Sequence, residues 1–154
     1  MRPGRTIGQR GSPMPQSIYV NLPVADLDRS IAFYRSLGFQ LEEAFTDETA
    51  ACIAISGSIR LMLLTHARFD QFATLPRADP RTATSVLLAL SRDSRDAVDD
   101  LLTAALEAGA AEPKPADDHG WMYLRTLHDP DGHVFEIFWM DAEAASAAGR
   151  MPSG

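Results

Sequence analysis

Hydrophobic and polar positions along the first half of the chain predict one strand, one helix and three further strands. Apolar residues recur at helical spacing between Asp26, a good N-cap, and Gly38, a natural C-cap. Runs rich in β-branched and aromatic residues, bounded by turn-forming residues, predict the strands. The strands span 18–24, 39–45, 50–55 and 59–65, and a short helix is predicted over 66–75. The first half therefore has the order β, α, β, β, β.

The same order restarts after a connector at 76–82 that contains two prolines. An apolar strand precedes a helix that begins at Asp93 or Ser94 and ends at Gly109, and a weak strand follows. The strands are predicted over 85–91 and 110–115, with a final hairpin inside 121–141. The second half therefore repeats the first.

This internal duplication predicts a single α+β domain made of two βαβββ modules, residues 17–75 and 83–141. Each module is too small to bury both faces of its own sheet. We therefore expect a cupped, mixed eight-stranded sheet with its helices on the outer face. The concave inner face is where a small ligand would bind.

The final hairpin places one charged residue in apolar surroundings. Its turn is DPDG at 129–132, with a proline suited to the second position and a glycine free to adopt positive φ. In the second arm of the hairpin, residues 133–140, the side chains on both faces of the strand are mostly apolar. Both faces of this strand are therefore expected to be covered. Glu136 would then need a partner, whether a metal, a cationic residue, a ligand or water in a cavity. The alternative is that this face is open to solvent near Glu136.

Composition limits the class of protein. The chain has 154 residues, 45% of them hydrophobic, which is enough for one globular domain with its own core. Residues 1–16, rich in glycine and proline, are predicted to form a disordered tail, and 142–154 a flexible one. Neither a membrane span nor a secretory signal is visible, and the single Cys52 fits a reducing compartment, so we expect a cytoplasmic protein.

The net charge argues against one class of partner. The formal charge is −7, and three arginines in the first sixteen residues leave the rest of the chain more acidic still. An acidic surface disfavours nucleic acid as a partner, although it can raise the local concentration of a cationic ligand. We therefore expect a small-molecule ligand, with no nucleic-acid partner and no membrane.

Two motifs resemble a known family. VNLPVADLDRSIAFYRSLGF at 20–39 and DPDGHVFEIFW at 129–139, together with the paired modules, resemble the vicinal oxygen chelate superfamily. That superfamily includes glyoxalase I, extradiol dioxygenases and the bleomycin and fosfomycin resistance proteins. The resemblance covers residues 17–141 and implies the fold described above, but it says much less about the reaction.

The resemblance also implies where a metal would bind. In metal-dependent members, four inward positions supply His, Gln or Glu ligands, and the matching positions here are Tyr19, Leu63, Leu87 and Glu136. Only Glu136 has the chemistry of a ligand, since tyrosine is an uncommon ligand and leucine cannot coordinate a metal. Asn21 shares the strand parity of Tyr19 and adds one amide. The ligand positions therefore do not support a divalent metal, and no cofactor is expected.

Residues near the hairpin are further candidates for binding or catalysis. His119 lies at the predicted mouth of the cup, where an imidazole could act as acid or base, or be a solvated loop residue. Trp121, Tyr123 and Arg125 share one strand face. If that face is the inner one, they offer a stacking surface, a phenol and a cation that neutralises Glu136. Otherwise Arg125 is an ordinary surface residue.

Three functions are compatible with these residues. The segments FTDETA, LMLLTH and DHGWMY resemble a small bacterial group labelled predicted lactoylglutathione lyases, which implies a metal-dependent lyase or isomerase with Glu136 as ligand and proton shuttle. The alternative is a metal-free cup that sequesters a small cationic or aromatic molecule, as the bleomycin resistance proteins do. A third function is a metal-free enzyme with Glu136 and His119 as acid and base. The resemblance also implies a homodimer.

Overall fold

Each half of the chain folds into one four-stranded sheet with a long helix on one face. The computed structural model describes residues 15–147 and 149. The strands are β1 (Ile18–Val24), β2 (Gln40–Glu42), β3 (Ala50–Ala54), β4 (Ile59–Thr65), β5 (Leu87–Ser91), β6 (Asp117–Asp118), β7 (Met122–His128) and β8 (Val134–Met140). The helices are α1 (Leu27–Ser36), α2 (His66–Phe72), α3 (Arg95–Glu107) and α4 (Ala142–Ala147).

The two sheets have the same topology. The first has the strand order β1-β4-β3-β2 and the second β5-β8-β7-β6. In each sheet, the strand before the long helix pairs in parallel with the last strand of the same module. The remaining strand pairs are antiparallel. Strands β1 and β5 therefore lie at free edges. The α+β fold of two βαβββ modules is confirmed.

The long helices begin where the sequence places their caps. The Asp26 carboxylate accepts a hydrogen bond from the Arg29 amide at 3.0 Å, and the Ser94 hydroxyl accepts one from the Ala97 amide at 3.0 Å. Each cap satisfies a backbone donor that the first turn leaves free. Both predicted starts are therefore confirmed.

Strand pairing fixes which side chains share a face. In the first sheet, Leu22 on β1 is opposite Leu63 on β4, and both are buried against α1. Their neighbours Asn21 and Met62 therefore point to the other side. In the second sheet, Ile137 faces α3, so the next residue, Glu136, points away from it. We call the side of each sheet that α1 or α3 does not cover its open face.

One core joins the two helix-covered faces. Helix α1 packs against α3, and the Tyr34 and Phe135 rings lie 6.0 Å apart between their centroids. The core side chains from both modules include Leu22, Phe33, Ile53, Leu61, Leu63, Val98, Leu101, Leu102, Leu127, Phe135 and Ile137. Because the helix-covered faces of both sheets contribute to this core, each open face lies on the side of its sheet away from it. The strands form two separate four-stranded sheets rather than one continuous sheet of eight.

Three sequence predictions differ from the structure. The weak strand expected at 110–115 is absent there, since Ala111 makes a single bridge to His128 and the paired segment is Asp117–Asp118. The strand expected at 39–45 ends at Glu42 and continues as a 3₁₀ turn. The segment after residue 141, expected to be a flexible tail, begins with α4, whose Ala145 is buried. The tail predicted over 1–16 lies outside the described residues up to residue 14, and the rest of the C-terminal tail, apart from Gly149, also lies outside them.

No helix within residues 15–147 is long and apolar enough to cross a membrane.

Candidate functional site

The open face of the second sheet is organised around Glu136 at the centre of β8. Glu136 lies between Ala89 on β5 and Thr126 on β7, with Val134 and Phe138 as its neighbours on the same strand face. Its side chain is half-buried and makes no hydrogen bond or salt bridge to any residue that the structure describes. An unpaired carboxylate in apolar surroundings is the type of group that a ligand would satisfy.

Thr126, directly opposite Glu136, was missed by the sequence prediction. Its side chain is 5% exposed, and its hydroxyl has no hydrogen-bond partner among the described residues. Strand alternation alone would have placed it beside Glu136, because residues of an antiparallel pair that lie opposite each other share a face. No feature of the sequence indicates that the hydroxyl is unpaired.

The open face of the first sheet carries Asn21 between two cavities. Helix α2 packs on β1 and β4 and covers one end of this face. A cavity of about 230 Å³ extends from Asn21 under Phe69 to Val134 and the connector before β5. A more open cavity of about 370 Å³ lies between Asn21, Leu64 and Phe72. Asn21 is therefore the polar group that both cavities share.

Tyr19 lies further along β1 in a separate polar cluster. The Arg60 guanidinium lies 5.7 Å from the centre of the Tyr19 ring and donates to the Glu42 carboxylate at 3.1 Å from Nε. Arg60 lowers the pKa of Glu42. Because Arg60 is already paired, the cluster presents an aromatic surface rather than a free cation. Burial raises the pKa of the neighbouring Cys52 thiol to about 11, so this cysteine stays protonated and unreactive.

Tyr123 and Arg125 lie on the helix-covered face, not on the open face. The Arg125 guanidinium donates two hydrogen bonds of 2.8 Å to Glu112 and one of 3.0 Å to Asp99. The Tyr123 hydroxyl donates to Asp99 at 2.6 Å. The condition under which Arg125 would neutralise Glu136 is therefore not met, because neighbouring strand positions point to opposite sides of the sheet and Arg125 is opposite Ile137.

Leu63 also points away from the open face. It is completely buried in the core beneath α1, so the sequence-based choice of Leu63 as an inward position was displaced by one residue. Leu64 occupies the open face instead. Leu87, by contrast, does lie on the open face of its sheet, at the free edge, and is 56% exposed. The structure thus brings Glu136 and Leu87 onto one sheet, and Tyr19 and Asn21 onto the other.

His119 lies at the far end of the second sheet from Glu136. Its amide donates to the carbonyl of Met122 at 2.8 Å, and its ring stacks on Trp121 with centroids 6.1 Å apart. Met122 is four residues along β7 from Thr126, which corresponds to about 14 Å of strand. Within one chain, His119 is therefore not placed to exchange a proton with a molecule at Glu136.

The DPDG turn joins the two modules, which the sequence prediction did not anticipate. The buried Asp129 carboxylate accepts from the Tyr34 hydroxyl at 2.6 Å and from the amides of Asp131 and His133 at 2.9 and 2.8 Å. Asp131, also buried, accepts from the Ala25 amide at 2.9 Å. The turn of the second module is thereby held against the end of β1 and the start of α1.

Burial shifts the pKa values of both members of the Tyr34–Asp129 pair. Burial raises the pKa of Asp129 despite the three donors that it accepts from. Burial, followed by the adjacent Asp129 carboxylate, raises the pKa of Tyr34 well above its usual range. The pair is thus a structural hydrogen bond away from both open faces, and we assign it no chemical role.

Comparison with known proteins gives the family. The model of the Glyoxalase/Bleomycin resistance protein/Dioxygenase superfamily matches residues 17–137. The chain belongs to this superfamily. The search of curated proteins returns no match.

Solved structures agree with this membership. The hypothetical protein SA1046 from S. aureus is 27% identical with a TM-score of 0.70, and the alignment covers 82% of this chain and 94% of that one. A glyoxalase/bleomycin resistance protein/dioxygenase family enzyme from Burkholderia phytofirmans PsJN is 26% identical with a TM-score of 0.66, covering 79% and 96%. A bleomycin resistance determinant encoded on the transposon Tn5 is 23% identical with a TM-score of 0.58, covering 82% and 99%, and shows the likeness of fold alone.

The open faces do not fit the metal centre found in some members of the superfamily. Across β1, β4, β5 and β8, these faces supply one carboxylate, Glu136, and one amide, Asn21, among apolar residues such as Met62 and Leu64. The described residues contain no group of three or more His, Cys, Asp or Glu that could hold a metal ion. One carboxylate and one amide are too few donors for a divalent metal.

Proposed function

We propose that this protein binds a small molecule, without a metal, in a cup formed between an open face carrying Asn21 and an open face carrying Glu136. One observation carries the proposal: Glu136 is a half-buried carboxylate in an apolar face and has no partner among the described residues. A pocket that is mostly apolar with a few placed polar groups is the usual form of a small-molecule site.

The cup is proposed to form between two copies of the chain. Each open face lies on the side of its sheet away from the shared core, so a second copy is proposed to supply the opposing wall. The free edges support this arrangement, since Ile18 is 56% exposed on β1 and Val86 is 60% exposed beside β5. Apolar residues at an unpaired strand edge favour association with another chain. A monomer mass in sedimentation at micromolar concentration would contradict the proposed homodimer.

The ligand is proposed to be cationic and partly aromatic. Glu136 provides a negative charge on the open face of the second sheet. On the open face of the first sheet, the positive charge of Arg60 is already neutralised by Glu42. The aromatic residues Phe69 and Phe138 and the ring of Tyr19 offer flat surfaces against which a ring can pack. The net charge of −7 further favours the approach of a cation.

Binding is favoured over a lyase or isomerase reaction because the residue that the sequence suggested as the second acid or base is not near Glu136. His119, the sequence candidate for that role, lies about four strand residues away along β7. A glyoxalase reaction would also require a metal, for which the donors are too few. The protein is therefore proposed to sequester its ligand rather than convert it.

A thermal-shift screen of a library of cationic, neutral and anionic small molecules tests this proposal. Compounds that raise the melting temperature of the parent protein are titrated against Glu136→Gln, which keeps the side-chain shape and removes the charge. We expect cationic compounds to prevail and their affinity to fall by more than about tenfold in the variant. Equal affinity of the two proteins for every compound that binds would contradict the proposal.

Metal addition provides the control for the same experiment. Nickel, zinc or manganese should leave the melting temperature unchanged, because a bound metal at a hundred times its dissociation constant would add about 2.7 kcal/mol to the free energy of unfolding. One equivalent of metal that survives dialysis would restore the metal-dependent lyase or isomerase as the better explanation.

A further inference from the structure

Thr126 carries a buried hydroxyl with no partner in the part of the chain that the structure describes. Its side chain is 5% exposed and its Oγ1 makes no hydrogen bond within that part. A buried polar group of this kind destabilises a fold, so native proteins rarely retain one without a reason. The other buried polar side chains at the module junction, Ser30, Asp129 and Asp131, all have partners.

The position of Thr126 in the sheet indicates which group it can reach. It lies directly opposite Glu136 in the antiparallel pair of β7 and β8, at a separation of about 5 Å between Cβ atoms for residues so placed. The flanking residues on this face are Leu124, His128, Val134 and Phe138. Glu136 is therefore the carboxylate beside Thr126, and a modest rotation of the half-buried Glu136 side chain would bring the two groups into hydrogen-bond contact.

We propose that Thr126 is a positioning residue for Glu136 and that the pair selects ligands whose cation carries N–H donors, such as a primary ammonium or an amidinium. This inference rests on the proposed function. In the complex, the Thr126 hydroxyl donates to one oxygen of the Glu136 carboxylate, and the other oxygen accepts from the ligand. The bound cation thereby holds the Glu136 carboxylate in the rotamer in which it accepts from the hydroxyl.

The surroundings of Glu136 favour an N–H cation over a quaternary ammonium. Proteins bind quaternary ammonium groups mainly through several aromatic faces. On the open-face positions of β5, β7 and β8, Phe138 is the one Phe, Tyr or Trp residue, because Tyr123 and Trp139 belong to the helix-covered face. A carboxylate held by a hydroxyl instead offers a directed acceptor, which a cation with N–H donors uses in a charge-assisted hydrogen bond.

The test compares benzylamine with benzyltrimethylammonium, which shares the ring and the charge but has no N–H donor. Both are titrated by NMR into the full-length parent protein and into Thr126→Val, which replaces the hydroxyl by a methyl group of the same size. Thr126→Ser, which keeps the hydroxyl, is the matched control. We expect the parent to bind benzylamine about tenfold more tightly than benzyltrimethylammonium. We also expect Thr126→Val to lose about five- to tenfold in benzylamine affinity and Thr126→Ser to keep it within about twofold.

Thermal stability separates positioning from structural support. Thr126→Val should melt at the same temperature as the parent or higher, because it removes a buried hydroxyl that has no partner in the empty protein. A melting temperature clearly below that of the parent, or unchanged benzylamine affinity in Thr126→Val, would overturn the inference. Failure of benzylamine to bind the parent, or binding of benzyltrimethylammonium as tight as that of benzylamine, would overturn it as well.

The proposed function fails under a different result. If benzylamine binding falls in Glu136→Gln but not in Thr126→Val, the cup proposal stands and the inference about Thr126 is refuted. If benzylamine binds the parent and Glu136→Gln equally well, the assignment of Glu136 itself is refuted.

Discussion

At the scale of single residues, the contact between Tyr34 and Asp129 is a buried hydrogen bond that links the two modules. The hydrogen bond measures 2.6 Å, both side chains are buried, and the two residues belong to different modules. When a buried carboxyl group loses a hydrogen-bond donor, the oxygen that accepted from that donor is left unsatisfied. Loss of the Tyr34 hydroxyl therefore weakens the junction between the modules, although the contacts of Asp131 with Ala25 and Ser30 remain.

We predict that Tyr34→Phe lowers the free energy of unfolding by about 1–3 kcal/mol, because the ring still packs while Asp129 loses a donor. The measurement is urea denaturation at neutral pH. Tyr19→Phe is the matched control, since Tyr19 is 43% exposed and its hydroxyl makes no hydrogen bond to the described residues. Equal midpoints for the two variants would contradict the role assigned to Tyr34.

Arg125 gives a prediction with a defined pH dependence. Its hydrogen bonds lower the pKa of Glu112, and the Tyr123 hydroxyl, followed by Arg125, lowers the pKa of Asp99. A lowered folded-state pKa contributes stability above the unfolded-state values, about 4.3 for Glu and 3.9 for Asp, that is lost as the pH falls through the folded-state pKa.

We therefore expect Arg125→Met to lower the free energy of unfolding by about 1 kcal/mol at pH 7. The effect is modest because Asp99 is 48% exposed and solvent screens part of the interaction. The difference from the parent should shrink as the pH falls below about 4. Denaturation midpoints across this range test the effect. Ligand affinity should stay within about twofold of the parent value, because Arg125 faces α3. A large loss of affinity would show instead that Arg125 belongs to the binding site.

The sequence predicted the candidate site only where it also predicted which face of its strand each side chain occupies. Glu136 stood out because a charge inside an apolar run is visible in the sequence, and parity then placed Asn21 and Tyr19 together. Leu63 was misplaced by one residue, and such a shift moves a side chain to the opposite face. The face that carries Tyr123 and Arg125 was left open, because nothing in the sequence indicated that Asp99 and Glu112 would be their partners.

At the scale of elements, the DPDG turn both ends a hairpin and supports the connector before β5. Gly132 has φ of +96°, and a Cβ at this position would lie 3.0 Å from Cγ of Arg81 and 3.3 Å from the carbonyl carbon of Pro80. The Arg81 guanidinium also donates to the carbonyl of Pro130 at 2.9 Å. The turn therefore requires glycine for its backbone conformation and for the close approach of the connector.

We predict that Gly132→Ala destabilises the protein by about 1–2 kcal/mol from the backbone conformation alone, with a further cost from displacement of the connector. Gly57→Ala is the control, because Gly57 lacks positive φ and a Cβ added there would have no neighbouring atom within 4 Å. Thermal denaturation compares the two. A similar melting temperature for both variants would contradict the tight packing between turn and connector.

Most elements could be predicted because local patterns specify them. The caps at Asp26 and Ser94, the alternation in β1 and the hairpin turn are all short-range signals. The strand expected at 110–115 failed because the edge pairing of Asp117–Asp118 depends on contact with β7 rather than on hydrophobicity. The inter-module contacts of Asp129 and Asp131 join residues about a hundred positions apart, which no local pattern reports.

At the scale of the whole molecule, the shared core determines how a binding site can form. Because α1 and α3 pack together, each open face lies on the side of its sheet away from the shared core. The sequence indicated two modules and a cup, but it did not indicate which faces would meet within a chain. The proposed site therefore combines the Asn21 face of one copy with the Glu136 face of another.

Subunit mixing tests this central claim most directly. Asn21→Leu and Glu136→Gln each damage one wall, so each variant alone should bind the tightest compound of the screen at least about tenfold more weakly than the parent. After the two variants are mixed in equal amounts and their subunits have exchanged, half of the dimers should contain one copy of each variant. In these mixed dimers one of the two cups has both walls intact, so about a quarter of all cups should recover parent affinity in calorimetric titration. If no high-affinity sites appear although mass spectrometry of the intact complexes demonstrates mixed dimers, the two walls do not come from different chains, and the account is contradicted.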